Sequence, residues 1–209
     1  RETFWHGYKV HLTETCEPDS PNLITHVETT PATEQDNMVV ERVHAALQTK
    51  ELLPSQHLVD AGYPSAELLV SSQDKYGVDL LGPVRPDVSW QRQDPQAFDI
   101  TQFKIDWERH VVICPMGKTS RCWWPAKGPR GKPTLQVHFG EKDCLACASR
   151  ARCTKSASTP RGLTLQPKEQ QLALQAARQR QATAEFKKAY TIRSGIEGTI
   201  GQATDKLDM

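Results

Sequence analysis

The sequence has 209 residues, 37% of them hydrophobic, with 26 Lys and Arg against 25 Asp and Glu. This length suits one medium-sized domain or one domain with an insertion, and the apolar fraction excludes wholesale disorder. No run of 18 apolar residues occurs, and the first residues include neither Met nor the apolar region of a secretory signal. We therefore expect a cytoplasmic protein without a membrane partner, and a fragment of a longer chain.

The N-terminal residues have the pattern of a hairpin followed by a helix. Residues 7–12 and 22–27 alternate in strand fashion around the turn-forming sequence CEPDSP, which predicts two antiparallel strands. Residues 33–36 resemble a capping box, and apolar residues at helical spacing predict a helix over 38–47. Pro54 is expected to end that helix.

A second helix lies between two short apolar strands. The sequence predicts a strand at 57–59, a helix with Ser65 as its N-cap and Gly77 as its C-terminal stop, and a strand at 78–84. Strands alternating with helices indicate an α/β protein. We predict one mixed sheet flanked by helices, antiparallel on one side and parallel on the other.

The character of the sequence changes after about residue 87. Short strand-like pieces at 105–107, 110–114 and 134–139 predict a β-rich, cysteine-containing insertion. Pro167 then begins a segment rich in Gln, Ala and Leu, which predicts one long helix to about residue 200. We expect an N-terminal part of the core, a basic insertion and a C-terminal helical part of the core, at residues 1–100, 101–162 and 163–209.

The balanced net charge conceals a strong asymmetry. Residues 1–100 have 7 Lys and Arg against 16 Asp and Glu, whereas residues 101–209 have 19 against 9. Clustered cations favour a polyanionic partner, because the binding of Lys and Arg to phosphates releases the counterions of the polyanion. A solvated basic face without a partner is the alternative. The cations that we expect to contact DNA are Lys118, Arg121, Lys127, Arg130, Lys132, Arg150 and Arg152.

Five of the six cysteines lie in one stretch of 40 residues, 114–153, inside the basic segment from Arg109 to Arg161. The spacing C-x29-C-x2-C-x5-C of Cys114, Cys144, Cys147 and Cys153 predicts a tetrahedral structural zinc site, with Cys122 as a substitute for Cys114. A metal would help to fold an insertion that has little core of its own. Free reduced thiols are the alternative. The neighbouring pair Trp123 and Trp124 either stacks on unpaired bases or belongs to the core of the insertion.

Two sets of residues have the pattern of a metal-dependent site. Asp60 follows a strand directly, at the edge where open α/β sheets bind ligands, so it is suited to hold a divalent cation. Its alternative role is to begin a turn. Tyr190, Arg193 and Glu197 are spaced three and four apart, which places them on one helix face. In one interpretation, Glu197 joins Asp60 at a metal ion, and Arg193 and Tyr190 donate hydrogen bonds to a phosphate. In the other, Arg193 and Glu197 form only an ion pair within the helix.

The sequence resembles bacterial insertion-sequence transposases of the DDE type, which have an RNase H-like fold. The resemblance extends over nearly the whole chain, through GYKVHLTETC, PNLITHVETT, HLVDAGY, DLLGPV, CPMGKTS, CLACASRARCT and Tyr190-x2-Arg193-x3-Glu197. It implies that Asp60 is the second catalytic acid and Glu197 the third, and that they hold Mg²⁺ or Mn²⁺. Arg193 and Tyr190 belong to the same signature.

Two features depart from the pattern of that family. No residue here matches the first catalytic aspartate, which lies on an earlier strand in the family. The position seven residues after Glu197 is Thr204, where the family commonly has a basic residue. We therefore expect a catalytic-domain fragment that is inactive alone.

The resemblance also implies a reaction and its partners. It implies metal-dependent endonuclease cleavage and strand transfer during DNA recombination, acting on the double-stranded DNA of transposon ends. A homodimer and association with the bacterial nucleoid are further expectations. The alternatives are a non-catalytic DNA-binding remnant that uses the basic cysteine-rich insertion, and a zinc-ribbon interaction module without nucleic acid.

Overall fold

The computed structural model describes residues 7–17 and 19–207, except for the side chains of Ala203 and Leu207. The protein is a mixed α/β structure with several small sheets. It forms two compact units. The first unit contains the residues up to Arg85 and those from Leu172 onward, and the second unit is Pro86–Gln171.

The first unit begins with the hairpin expected from the sequence. Strands β1 (Tyr8–Glu14) and β2 (Ile24–Pro31) are antiparallel, with Tyr8 opposite Pro31 and Leu12 opposite Val27. Both strands extend beyond the predicted ranges. Threonines continue the ladder at both ends, and their branched side chains suit a pleated surface.

Helix α1 (Val40–Thr49) follows a short 3-10 turn at Asp36–Met38. The predicted capping box is not formed, because the Asp36 carboxylate accepts a hydrogen bond from Lys9 Nζ at 2.6 Å instead. The residue before the helix, Val39, provides no side-chain cap. Burial of apolar residues on one face stabilises α1, namely Val40, Val43 and Leu47.

The next elements form a strand–helix–strand unit. Strands β3 (Gln56–Leu58) and β4 (Asp79–Leu81) are parallel, and helix α2 (Ala66–Tyr76) connects them. Both predicted ends of α2 are confirmed: Ser65 Oγ accepts a hydrogen bond from the Leu68 N–H at 3.2 Å, and Gly77 has a left-handed φ of 68°. These elements enclose a small core of Val40, Val59, Leu68 and Leu80.

The α/β class is confirmed, but the predicted single mixed sheet is wrong for the described residues. Within residues 7–17 and 19–207, the β1–β2 hairpin and the β3–β4 pair are separate two-stranded sheets. Side chains join them in place of a backbone ladder, since His11 of β1 contacts Tyr63, which follows β3.

The second unit is rich in short strands. Strands β7, β8 and β9 form an antiparallel sheet in that order, and β5 and β6 form a separate antiparallel pair. The elements in chain order are α3 (Trp90–Gln93), β5 (Lys104–Asp106), β6 (Val111–Ile113), β7 (Cys122–Lys127), β8 (Pro133–His138), α4 (Glu141–Leu145), α5 (Arg150–Cys153) and β9 (Gly162–Leu165).

This unit has its own apolar core, contrary to the expectation of little core. The cluster consists of buried aromatic and aliphatic side chains: Phe98, Phe103, Val112, Val137, Phe139, Leu163 and Leu165. Successive strand residues point to opposite faces, which separates the two tryptophans of β7. Trp123 packs against this core and meets Trp107 edge to face at 5.6 Å, whereas Trp124 is 40% exposed.

The C-terminal segment is not the single long helix that the sequence predicts. It forms α6 (Lys168–Gln181), α7 (Ala184–Thr191) and α8 (Gly195–Leu207), with a 3-10 turn at Ile192–Ser194. Thr183 causes the first interruption, because its Oγ1 accepts a hydrogen bond from the Phe186 N–H at 3.1 Å and caps α7. None of the helices in the described part of the chain is long and apolar enough to cross a membrane.

The end of α6 is fixed to β4. Both guanidinium nitrogens of Arg180 contact the Asp79 carboxylate at 2.8 Å, and Gln181 Oε1 accepts a hydrogen bond from the Val84 N–H at 2.8 Å. The Arg180 hydrogen bonds hold the pKa of Asp79 below its ordinary value. These contacts position the helices that follow.

Candidate active site

Asp60 lies at the end of a rigid strand segment. The preceding residue, Val59, is buried, and its N–H donates to the Leu81 carbonyl of the neighbouring strand at 2.9 Å. Asp60 then begins a turn, since its carbonyl accepts a hydrogen bond from the Tyr63 N–H at 3.0 Å. The side chain of Asp60 is 53% exposed. Asp60 thus begins a turn and also presents a carboxylate at the end of a strand.

A single guanidinium joins Asp60 to Glu197. Arg193 Nη2 lies 3.0 Å from Asp60 Oδ2, and Arg193 Nη1 lies 2.9 Å from Glu197 Oε1. Tyr190 Oη lies 3.3 Å from Asp60 Oδ1. The 3-10 turn between α7 and α8 keeps the chain helical, so residues three and four apart still share one side. The fold therefore brings together the four residues that the sequence indicates as candidates for a metal-dependent site.

This cluster is open to solvent. The Arg193 side chain is 21% exposed, and that of Glu197 is 60% exposed. Ion pairs of this kind contribute only about 0–1 kcal/mol to stability, so the cluster is not a structural anchor. Burial raises the pKa of Tyr190, which keeps its phenol protonated and able to donate to Asp60.

A largely buried hydrogen-bond network, which the sequence did not predict, supports the Asp60 turn. His11 Nδ1 lies 2.6 Å from Tyr63 Oη, and His11 Nε2 lies 3.0 Å from Thr30 Oγ1. Burial, followed by the charges of Asp36 and Asp60, raises the pKa of Tyr63 to about 12. Burial also lowers the pKa of His11, so both groups are neutral. The sequence signal that could have indicated this network is His11, a histidine at an inward position of a strand with alternating residues.

Gly62 allows the turn to pack closely. A Cβ atom at this position would lie 2.9 Å from Asp36 Oδ2, so the Asp36 side chain would have to shift to admit it. Lys9 Nζ in turn binds the Asp36 carboxylate. The turn that follows Asp60 is therefore fixed on one side by Asp36 and on the other by Tyr63.

Asp60 and Glu197 are the candidate ligands for a divalent metal ion. Asp60 and Glu197 provide the hard oxygen atoms that Mg²⁺ prefers. Among the described residues, however, no group of three or more His, Cys, Asp or Glu side chains is arranged to hold a metal ion. Both the magnesium site and the zinc site therefore stay predictions.

The four predicted zinc ligands line one cavity of the second unit. Cys114, Cys144, Cys147 and Cys153 border it together with apolar residues that include Phe103. Burial raises the pKa of Cys153 to about 11, and all four thiols are free. Cys122 is exposed on β7 and does not border this cavity. The arrangement favours Cys114 over Cys122 as the fourth member of the cluster.

The predicted DNA-contacting cations differ in the contacts that their side chains make. Arg150 and Arg152 have structural partners, because Arg150 Nη2 donates to the Ser156 carbonyl at 2.8 Å and the Arg152 guanidinium lies 4.1 Å from the Phe98 ring centre. Lys118 lies 3.5 Å from Asp143. Exposure is shared by Lys118 and Arg152 and by Arg121, Lys127, Arg130 and Lys132, of which Arg130 and Lys132 also interact with other residues.

Comparison with known families gives one match. The family model described as the transposase DDE domain matches residues 113–209, which include Arg193 and Glu197 but not Asp60. This confirms the resemblance to DDE transposases over that segment. No curated protein and no solved structure matches the chain.

Proposed function

We propose that the chain is part of a DNA transposase in which Asp60 and Glu197 are two carboxylates of a metal-dependent active site. The observation that supports this is the shared guanidinium of Arg193, which holds carboxylates 137 positions apart in one cluster. The substrate is double-stranded DNA at transposon ends, and the reaction is phosphodiester cleavage followed by strand transfer. A homodimer associated with the bacterial nucleoid is part of this proposal.

The side chains of the cluster have distinct roles in the proposed site. Asp60 and Glu197 hold Mg²⁺ or Mn²⁺, which when bound activates the attacking oxygen and stabilises the leaving one. Arg193 and Tyr190 donate hydrogen bonds and orient a phosphate group. The first catalytic aspartate of the family has no counterpart in this sequence, so we expect the chain alone not to cleave DNA.

We further infer an RNase H-like arrangement of the first unit. The antiparallel β1–β2 hairpin and the parallel β3–β4 pair correspond to the two sides of such a sheet. A strand that carries the first carboxylate would join them by pairing with both. The same strand would bring its aspartate to the end of β3, beside Asp60.

A non-catalytic DNA-binding protein is the second candidate. Arg193 already forms an ion pair with each of the two carboxylates, and the sequence from 109 to 140 contains no Asp or Glu. Such a basic segment binds phosphates without any need for the carboxylates.

The test compares cleavage with binding of a labelled duplex in the presence of Mg²⁺. We expect the chain alone to bind without cleaving, with an affinity that falls linearly with salt on a log–log scale. A chain extended by a strand that supplies the first aspartate should cleave. Asp60→Asn in the extended chain should then abolish cleavage and leave binding intact.

Asp74 of α2 offers a matched control, because it is an exposed carboxylate away from the cluster. Asp74→Asn should leave cleavage unchanged. If the extended chain binds DNA but never cleaves it, the non-catalytic alternative is correct. If no duplex binds even at low salt, both candidates are wrong.

A further inference from the structure

The β7–β8 hairpin extends beyond the sheet to which it belongs. Strand β9 pairs with β8 only from Leu135 to His138, opposite Leu165 to Gly162. The pairs Ala126–Thr134 and Lys127–Pro133 lie beyond the end of β9. The hairpin therefore ends in a two-stranded ribbon closed by residues 128–132. We call residues 127–132 the basic tip.

The backbone of the basic tip is held in one conformation. The Gly128 N–H donates to the Lys132 carbonyl at 2.7 Å, and a Cβ atom at Gly128 would lie 2.8 Å from Thr134 Cγ2. Arg130 and Gly131 both have left-handed φ angles, of 59° and 73°. Pro129 fixes a further φ angle. A tip ordered in this way loses little conformational entropy when it binds.

The basic tip combines positive charge with a bare backbone edge. Lys127, Arg130 and Lys132 are exposed. A Cβ atom at Gly131 would meet nothing within 4 Å, so this part of the backbone faces open space. A groove can therefore receive the turn closely, with a cation on either side of Gly131.

These features match the minor groove of A·T-rich DNA. That groove is about 6 Å wide, becomes narrower in A-tracts and has an enhanced negative potential that attracts Arg and Lys. Reading of the major groove requires polar side chains along the strands. Apart from Lys127, the exposed strand positions nearest the tip are Pro125 and Pro133, which have no side-chain hydrogen-bonding groups.

We propose that the basic tip inserts into the minor groove of A·T-rich DNA, with Arg130 and Lys132 directed along the groove and Gly131 against its floor. This inference rests on the proposed function, because it assumes that the protein binds DNA. It adds a preference for groove shape to the phosphate contacts of the second unit.

The test uses the full chain and two labelled duplexes of equal length, one with a central A-tract and one rich in G·C. At equal salt, we expect about tenfold tighter binding of the A-tract duplex, measured by fluorescence anisotropy. Netropsin, which occupies A·T minor grooves, should remove this difference. Arg130→Gln should lower the affinity for the A-tract duplex to that for the G·C duplex.

Two further variants distinguish insertion of the basic tip into the groove from general attraction between cations and phosphates. Arg109→Gln removes one exposed cation outside the basic tip and should weaken binding of both duplexes equally. Gly131→Asn keeps the charge and tolerates the left-handed backbone, but it adds a side chain on the bare edge. It should therefore weaken only A-tract binding.

Equal affinity for the two duplexes, or equal losses in Arg130→Gln and Arg109→Gln, would overturn the minor-groove proposal while leaving DNA binding in place. Failure of both duplexes to bind at low salt would instead contradict the proposed function, and the minor-groove proposal with it.

Discussion

Tyr63 is the residue that couples the hairpin to the Asp60 turn. Its hydroxyl lies 2.6 Å from His11 Nδ1, and the bond is partly buried. Tyr63→Phe removes the hydroxyl and leaves a buried ring nitrogen unpaired, which costs about 1–3 kcal/mol. We expect the free energy of unfolding of the first unit, measured by urea denaturation, to fall by this amount.

Tyr190→Phe is the matched control for that substitution. The Tyr190 hydroxyl makes a longer bond of 3.3 Å to an exposed carboxylate. Its loss should change the free energy of unfolding by no more than about 0.5 kcal/mol. Equal losses in the two variants would show that the His11 bond is not a stabilising one.

A buried histidine pair should make the first unit sensitive to acid. His44 is fully buried, and its Nε2 lies 3.0 Å from His57 Nδ1. Burial, and then the charge of His44, lowers the pKa of His57 from 6.5 to about 4. The unfolded chain therefore takes up a proton before the folded chain does. Stability is complete above pH 6.5 and falls as the pH decreases towards 4.

The measurement is urea denaturation across this pH range. We expect a loss of about 2 kcal/mol between pH 6.5 and 4 from His57 alone. His57→Gln removes the titrating group and should flatten the pH dependence by that amount, while carboxylate titrations remain. Parallel pH profiles for the two proteins would contradict the assignment.

At the scale of elements, the caps of α2 offer a direct test of local stability. Ser65 Oγ accepts a hydrogen bond from the Leu68 N–H, so Ser65→Ala should cost about 1 kcal/mol of unfolding free energy. Ser89 precedes α3 without any side-chain cap. Ser89→Ala should therefore change the stability by no more than about 0.5 kcal/mol. Similar losses would mean that the Ser65 bond is not the reason for the effect.

Local signals predicted the elements that local contacts decide. Helix α2 has its cap, its apolar face and its left-handed stop within 13 consecutive residues, and the structure confirms all three. The segment from 167 to 200 has helical composition throughout, but Thr183 caps a new helix within it. A threonine within a helical pattern is compatible with both outcomes, so composition alone could not locate that break.

The candidate site shows the same limit. The spacing of Tyr190, Arg193 and Glu197 could be interpreted from the sequence, because residues three and four apart share a helix face. The sequence offered a shared site of Asp60 and Glu197 as one alternative, and the family resemblance favoured it, but neither predicted the ion pair between Asp60 and Arg193. Nothing local predicts that His11 meets Tyr63, since that contact depends on how the hairpin packs against the β3 turn.

At the scale of the whole molecule, the cavity of the second unit provides the test of the zinc prediction. If zinc binds, the purified protein should contain it at one equivalent, and Cys114→Ser should lose it. Thiolate ligation requires that the cysteines lose protons, although burial raises the pKa of Cys153 to about 11. Metal binding should therefore weaken at lower pH. Elemental analysis of the purified protein checks both expectations.

Cys122→Ser is the control, because Cys122 is exposed and does not border the cavity. It should keep the full zinc content. A chelator should then lower the unfolding temperature of the second unit and leave that of the first unit largely unchanged. The reason is that no cysteine of the cluster belongs to the first unit. Protein purified without zinc and indifferent to chelators would mean that the cysteines are simply reduced thiols.

The ribbon that extends beyond β9 also determines where a protease can reach the chain. Exposed turns of small residues are preferred sites of proteolytic nicking. Trypsin can cut the Lys127–Gly128 and Arg130–Gly131 bonds, whereas the proline at 133 protects the bond after Lys132. Brief digestion should therefore nick the chain at these two bonds early, as seen by mass spectrometry. An A-tract duplex should slow this nicking more than a G·C duplex does, so the same exposed turn serves as a footprint of bound DNA.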